Sequence, residues 1–260
     1  MQSMDGGTRQ PDPRFSRFGL SFRLTRAVKW LLIIHGAVFA LELVIGHAGG
    51  KAGQEFLFEN LSLSFDRCLF EGKVWQVLTY MLLHDPFSIA HILWNMLILW
   101  MFGSPLESFW GGRRFLRFYF FTGLFAGGIV LLSALMIPSQ RQTFTLGASG
   151  ALYALLVAFG FNFPNSPIYL FGLFPIKGKH LVMLFIGLGV AQSLTLGGTN
   201  VSIAAHFGGM LAGFLLVTGA WRPSKIVGWI RLWWMKRRYK KLRKRFQVID
   251  RDKPGGGYLN

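Results

Sequence analysis

Thr145-Leu-Gly-Ala-Ser-Gly-Ala-Leu-Tyr153 sets a serine, Ser149, between two glycines at the mouth of a long apolar run. Downstream, Ala205-His-Phe-Gly-Gly-Met-Leu-Ala-Gly213 carries a histidine inside another apolar run, with Gly209 and Gly213 three and seven residues after it. Those offsets place His206 and both glycines on one helical stripe. Upstream, His91-Ile-Leu-Trp-Asn95 puts two hydrogen-bonding side chains four residues apart, one above the other, on a third apolar helix. A serine, a histidine and a His/Asn pair are the parts of a nucleophilic hydrolase, here embedded in apolar helices.

The surrounding chain is that of an all-α, polytopic membrane protein. Of its 260 residues, 52% are hydrophobic, the mean hydropathy is +0.40, and the apolar residues come in blocks near the bilayer-spanning length of about 20 residues. Spans are expected at roughly 28–47, 87–103, 115–137, 148–163, 179–196 and 201–221. The net charge of +17 would suggest nucleic acid in a soluble chain, but the basic residues are sorted relative to these blocks. Six lie between Arg9 and Lys29, three are Arg113, Arg114 and Arg117, two are Lys177 and Lys179, and thirteen follow the last block. These alternate segments hold 24 of the 28 Lys and Arg residues, so the positive-inside rule places both termini in the cytoplasm. An even number of spans is required by that asymmetry. The basic leader and small residues flanking the first block also resemble a cleaved signal peptide, but Glu42 within the block and the five later blocks favour a retained helix.

The segments between blocks carry further expectations. Residues 1–27 read as a polar, basic cytoplasmic arm. His35 and Glu42, seven residues apart on one face of the first span, are expected to point into the bundle as structural polar groups. The loop of about forty residues that follows is too apolar at Phe56, Leu57, Phe58, Leu61, Leu63 and Phe65 for a solvated linker. It is expected to lie in the outer interface or pack on the bundle. Pro167 to Pro175 is apolar but too short and broken to cross, and Thr195–Ser202 reads as a glycine-bearing outer loop near His206. In the tail, residues 222–260, Leu232, Met235, Tyr239, Leu242 and Phe246 recur every three or four positions, with Trp229, Trp233 and Trp234 beside them. That pattern reads as a basic amphipathic helix on an anionic inner leaflet rather than a binder of nucleic acid.

The chemistry follows from residue types. Serine needs a base to take its proton, and histidine titrates near working pH. Gly150, Ala154 and Ala158 recur every four residues in one block, as do Ala205, Gly209 and Gly213 in another, and such rows let helix backbones touch in lipid. Ser149 and His206 can therefore meet, with Tyr153 one turn below the serine able to pack on the imidazole. The Ser149 N–H, the Asn95 amide and the His91 ring are candidate donors to an oxyanion. Taken singly, each polar side chain also reads as interhelical glue. No acidic residue lies between Glu107 and Asp250, which excludes an aspartyl mechanism on the last four spans. No HExxH occurs, which removes the zinc alternative, and the single cysteine, Cys68, builds no metal site of the CxxC type.

At these residues the chain resembles the rhomboid family of intramembrane serine proteases. Gly147-Ala-Ser-Gly150 is similar to the family's GxSG motif, Ala205-His206 with Gly209 and Gly213 to its AHxxGxxxG helix, and His91 with Asn95 to its HxxxN oxyanion pair. Tyr153 stands where the family has a histidine-stacking tyrosine, and Glu107 where a structural glutamate caps the inner end of the second span. The family's first-loop Trp-Arg is Trp75-Gln76 here, which removes an arginine contact, and His84 stands at a spacing unlike that of some members. The resemblance covers residues 28–221. It implies a six-transmembrane-helix bundle, cleavage of other proteins' transmembrane segments near the outer face, no cofactor, a membrane-lying first loop, a capping loop at 195–202 and a lateral gate at the fifth span. Single-pass proteins with easily unwound helices are the expected substrates. A bacterial-type cytoplasmic membrane is the expected location. A client-holding pseudoprotease and a small-solute channel are the competing classes.

Overall fold

The computed structural model describes residues 23–170, 174–195 and 203–245. It contains two units, Met1–Val217 and Thr218–Asn260. In the first, α1 spans Arg26–Leu61, 36 residues interrupted at Gly50, whose φ of 53° and ψ of −139° lie outside helical space. Glycine alone takes such a conformation without steric penalty, so the chain turns there. The spanning part therefore ends near Gly49, and the remainder opens the first loop.

That loop is structured. It carries α2 (Phe65–Leu69) and α3 (Gln76–Thr79), and its Leu63, Phe65, Cys68, Tyr80, Met81 and Leu83 are buried. Gln76, fully buried, donates to the Glu59 carbonyl at 2.9 Å and accepts the Ser64 N–H at 3.2 Å, while the Trp75 indole donates to the Asn60 carbonyl at 2.8 Å. A neutral amide thus ties the loop where the family pattern has arginine.

The second apolar stretch is continuous from Ile89 to Trp110. It comprises α4 (Ile89–Ile98), a π-helical turn at Leu99–Gly103 and α5 (Ser104–Trp110). Pro105 lacks an N–H for the ladder, and a wide turn just before it relieves the mismatch. α6 (Gly112–Met136), α7 (Ser149–Asn162), α8 (Gly178–Thr195) and α9 (Ile203–Thr218) follow. Arg26–Leu61, Ile89–Trp110 and Gly112–Met136 are long and apolar enough to cross a membrane, and Ser149–Asn162, Gly178–Leu188 and Ile203–Thr218 are shorter apolar helices.

α7 sits at the centre. Nine of its 14 residues are buried, from Gly150 round to Phe159, and a helix apolar and covered on every side is a bundle core. α6 and α8 pack on it. One departure from an all-α reading is a small hairpin: β1 (Pro167–Leu170) pairs antiparallel with β2 (Phe174–Lys177), Pro167 opposite Lys177 and Leu170 opposite Phe174. A two-stranded ribbon satisfies the backbone of this short apolar run, which an unpaired coil in an apolar setting would leave unsatisfied.

The second unit holds α10 (Pro223–Arg245). Its side chains from 231 to 240 are exposed, and the Arg237 guanidinium lies 3.8 Å over the Trp233 ring. Leu232, Met235 and Tyr239 share one side as expected, but Trp233 and Trp234 are consecutive with them and extend the apolar surface round the helix. Phe246, the arm at 1–22, the loop at 196–202 and Pro254–Gly257 lie outside the described residues.

Candidate active site

Ser149 is the first residue of α7, and the turn before it is shaped by Gly147, whose φ is 115°. Two contacts from the first loop hold this approach. Leu63 and Thr145 exchange both backbone hydrogen bonds at 2.9 Å, and the Gly147 N–H donates to the Tyr80 carbonyl at 2.8 Å. Tyr80 is itself fixed, its hydroxyl donating to the Gly123 carbonyl of α6 at 2.7 Å. The first N–H groups of a helix have no intrahelical acceptor and carry its positive dipole end. Ser149 therefore sits where backbone donors point out of the helix.

His206 reaches the serine from α9, its Nε2 at 2.9 Å from Ser149 Oγ. The glycine rows make this approach possible. A Cβ at Gly209 would overlap the Gly150 carbonyl oxygen and lie 2.7 Å from its carbon, and one at Gly213 would lie 2.9 Å from Ala154 Cα. On the other flank, a Cβ at Gly150 would be 2.7 Å from Ala126 Cβ of α6. Backbone thus touches backbone between α7 and α9, with no side chain between them at Gly209. Tyr153 stacks on the imidazole, ring centroids 4.2 Å apart and planes 26° from parallel. That contact limits rotation of the ring.

His91 and Asn95 approach the same turn from α4. A Cβ at Gly147 would stand 3.1 Å from His91 Nε2 and 3.9 Å from Asn95 Nδ2, so a side chain there would crowd His91 as well as strain the backbone. Asn95 is 5% exposed, and its Nδ2 has no hydrogen-bond partner among the described residues. A buried amide left unpaired costs about 1–3 kcal/mol, and here it lies beside the serine turn. Glu107 is elsewhere: it is 16 residues beyond His91 on the same continuous helix, about 24 Å along the axis. Its carboxylate accepts the Ala27 and Val28 N–H groups at 2.8 and 2.9 Å and the Thr25 hydroxyl, so it caps the start of α1 rather than the inner end of its own span, because the free N–H groups of α1 are the donors within reach.

His35 and Glu42 point into the bundle, 0% and 3% exposed. His35 Nε2 is 2.9 Å from the Tyr119 hydroxyl, and Glu42 accepts the His84 N–H at 3.2 Å to each oxygen. The His84 ring lies 5.3 Å from both the His35 and His91 rings. This connection from the first span to His91, and the clamp by Leu63 and Tyr80, were not read from sequence. The seven-residue spacing of His35 and Glu42 showed only that they share a face. Among the described residues, no group of three or more His, Cys, Asp or Glu side chains is arranged to hold a metal ion.

A helical membrane protein with an imidazole hydrogen-bonded to a serine at the start of its central helix is the class these features define. Residues 71–223 match the family described as Rhomboid domain, and the chain belongs to the rhomboid family. It is 28% identical over 213 residues to RHOMBOID-like protein 12, mitochondrial, of Arabidopsis thaliana, covering 75% of this chain and 62% of that one. With Rhomboid protease GluP of Bacillus subtilis it shares 30% identity over 155 residues, 59% of this chain and 27% of the other. With Rhomboid protein 1, mitochondrial, of Saccharomyces cerevisiae it shares 34% over 142 residues, 53% of this chain and 39% of the other. The chain thus spans less than two thirds of these relatives' own length.

Proposed function

We propose that the chain is an intramembrane serine endopeptidase that cleaves transmembrane segments of single-pass proteins near the outer membrane face through a Ser149–His206 dyad. The observation that carries this reading is the 2.9 Å contact of His206 Nε2 with Ser149 Oγ. His206 removes the hydroxyl proton as Oγ bonds to the scissile carbonyl carbon, and the carbonyl electrons move to oxygen. The Ser149 N–H, Asn95 Nδ2 and His91 Nε2 are the donors available to that oxyanion. Collapse returns the electrons, breaks the C–N bond and passes the proton from His206 to the leaving amine. Water, deprotonated by the same imidazole, then hydrolyses the acyl-serine. Tyr153 keeps the ring in plane for both transfers, and no carboxylate or cofactor is needed. Gly147, Gly150, Gly209 and Gly213 set the approach of the parts, and Glu107 fixes the first span.

Residues 28–221 form the catalytic domain in this reading, crossing the membrane six times with both termini cytoplasmic, as the basic residues at alternate ends favour. α7 has 14 residues, so it rises about 21 Å and begins below the outer boundary of a hydrocarbon core about 30 Å thick. Water must descend to Ser149, and His91, Asn95 and His84 offer the polar lining. A substrate helix has to unwind there, because a helix hides its carbonyls in its own ladder. The 222–260 tail, with α10, binds anionic inner-leaflet lipid through its basic residues and indoles. A bacterial-type cytoplasmic membrane is the proposed location.

The test is incubation of detergent-solubilised protein with a panel of single-pass segments bearing helix-weakening residues near one end, with product masses read by spectrometry. Cleavage near the outer boundary by wild type, absent in Ser149→Ala and His206→Ala, is expected. Capture of those segments by wild type without any product contradicts the proposal and points to a client-binding pseudoprotease.

A further inference from the structure

We infer that Glu42 of the first span is a positioning residue for the oxyanion donor His91, acting through the backbone of His84 and Asp85. The inference rests on the protease reading above and assigns a role to a buried carboxylate which that mechanism does not use.

The geometry runs in two steps. The Asp85 N–H donates to His91 Nδ1 at 3.4 Å. A nitrogen that accepts a hydrogen bond carries no proton, so this contact selects the neutral tautomer with hydrogen on Nε2. Nε2 is the ring atom that lies against the Gly147 turn, 3.1 Å from where a Cβ there would stand. Of the two neutral tautomers, only this one presents an N–H of His91 to the Ser149 approach. In the reverse tautomer it would present a lone pair there, and an oxyanion would be repelled.

The second step fixes Asp85. Its peptide follows His84, whose own N–H is held by both Glu42 oxygens at 3.2 Å. The His84 ring is flanked by the rings of His35 and His91, each 5.3 Å away, and His84 Nδ1 is 3.3 Å from the Leu82 carbonyl. Further along, the Asp85 carboxylate accepts the Phe87 N–H at 2.9 Å, closing the turn into α4. Glu42 thus enters from α1 and grips this turn through the His84 N–H. His35, one face of the same helix, adds a bond to Tyr119 of α6 at 2.9 Å and holds α1 against the bundle. Seven-residue spacing puts the two side chains in line, which explains why both polar groups are retained in an apolar span.

The experiment is a double-mutant cycle between Glu42 and His91, read as kcat and KM on a cleavable single-pass segment. Loss of an oxyanion donor costs about 10²–10³ in kcat, and misorientation of one is expected to cost Glu42→Ala about ten- to a hundredfold in kcat, with KM little changed. Glu42→Gln keeps a carbonyl acceptor for the His84 N–H and restores most of the rate. In a His91→Ala background, Glu42→Ala produces no further loss, because the donor it positions is gone. Losses that multiply in the double variant, or a Glu42→Gln protein as slow as Glu42→Ala, overturn the inference. Where Glu42→Ala does not fold, 15N spectra of histidine-labelled wild type, assigned with His91→Ala, decide the point. A bare Nδ1 and protonated Nε2 at His91, both retained in Glu42→Gln, are expected, and the reverse tautomer refutes the inference. A wild type inert on every substrate defeats the protease reading separately, and the tautomer still tests Glu42.

Discussion

Substituting Gly209 by alanine tests the packing that joins the dyad. The added methyl would lie 2.7 Å from the Gly150 carbonyl carbon and 3.1 Å from its Cα, besides overlapping the carbonyl oxygen. Ordinary carbon contacts are about 3.5–4.0 Å, so α9 must withdraw from α7 by about 1 Å. Backbone atoms cannot rotate away as a flexible side chain would. Gly209 lies three residues from His206, and Gly150 adjoins Ser149, so the withdrawal falls directly on the 2.9 Å Ser149–His206 contact. At about 3.9 Å the hydrogen bond is gone. Overpacking of this kind costs about 1–3 kcal/mol of stability, and loss of positioned general-base help costs about 10²–10⁴ in rate. The assay pairs thermal unfolding in detergent with kcat on a single-pass substrate. Gly128→Ala in α6 and Gly187→Ala in α8 are the controls, since a Cβ at either meets nothing within 4 Å. Both controls should keep full activity and lose no stability. A Gly209→Ala protein with wild-type rate and melting temperature would falsify the backbone-contact argument.

Other outcomes follow from single contacts. Tyr153→Phe should keep the 4.2 Å stack on His206 and most activity, while Tyr153→Ala loses an aromatic contact worth about 0.5–1.5 kcal/mol. Its kcat should fall about tenfold, and equal rates for the two variants would remove Tyr153 from the account. Glu107→Ala strips the cap from α1, where the carboxylate accepts from Ala27 and Val28. A melting temperature lowered by a cap loss of about 0.5–2 kcal/mol, without loss of serine-probe reactivity in protein that remains folded, is expected. Cys68 is 2% exposed in the first loop, and burial pushes its thiol up from the usual cysteine range. The thiolate fraction at neutral pH is therefore small, and maleimide should label it slowly until the protein is unfolded. Rapid labelling of the folded protein would show that the loop does not pack as described.

The parts of the site carried by local spacing were legible in the sequence. Ser149 between glycines, His206 in line with Gly209 and Gly213, and His91 one turn from Asn95 are all periodicity arguments, and the structure places these side chains together. Features that depend on partners distant in sequence were not legible. The Leu63–Thr145 bridge and the Tyr80–Gly147 bond join residues 82 and 67 positions apart, and nothing in either stretch specifies the other. Gly50 is one glycine among 32, and its positive φ is visible only in the folded chain. The hairpin at Pro167–Lys177 was hidden because its four-residue strands are too short for alternation to stand out, and proline occurs in each. His84 was noticed without a role, since its backbone N–H is the group that matters to Glu42. Backbone donors leave no mark in a sequence.

The central claim is that Ser149 is a nucleophile activated by His206, and a fluorophosphonate serine probe measures that most directly. Detergent-solubilised wild type should be labelled, with the adduct mapped by mass spectrometry to Ser149, and labelling should vanish in folded Ser149→Ala and His206→Ala proteins. Equal labelling in Ser149→Ala, or none in a wild type shown to be folded, would contradict the claim.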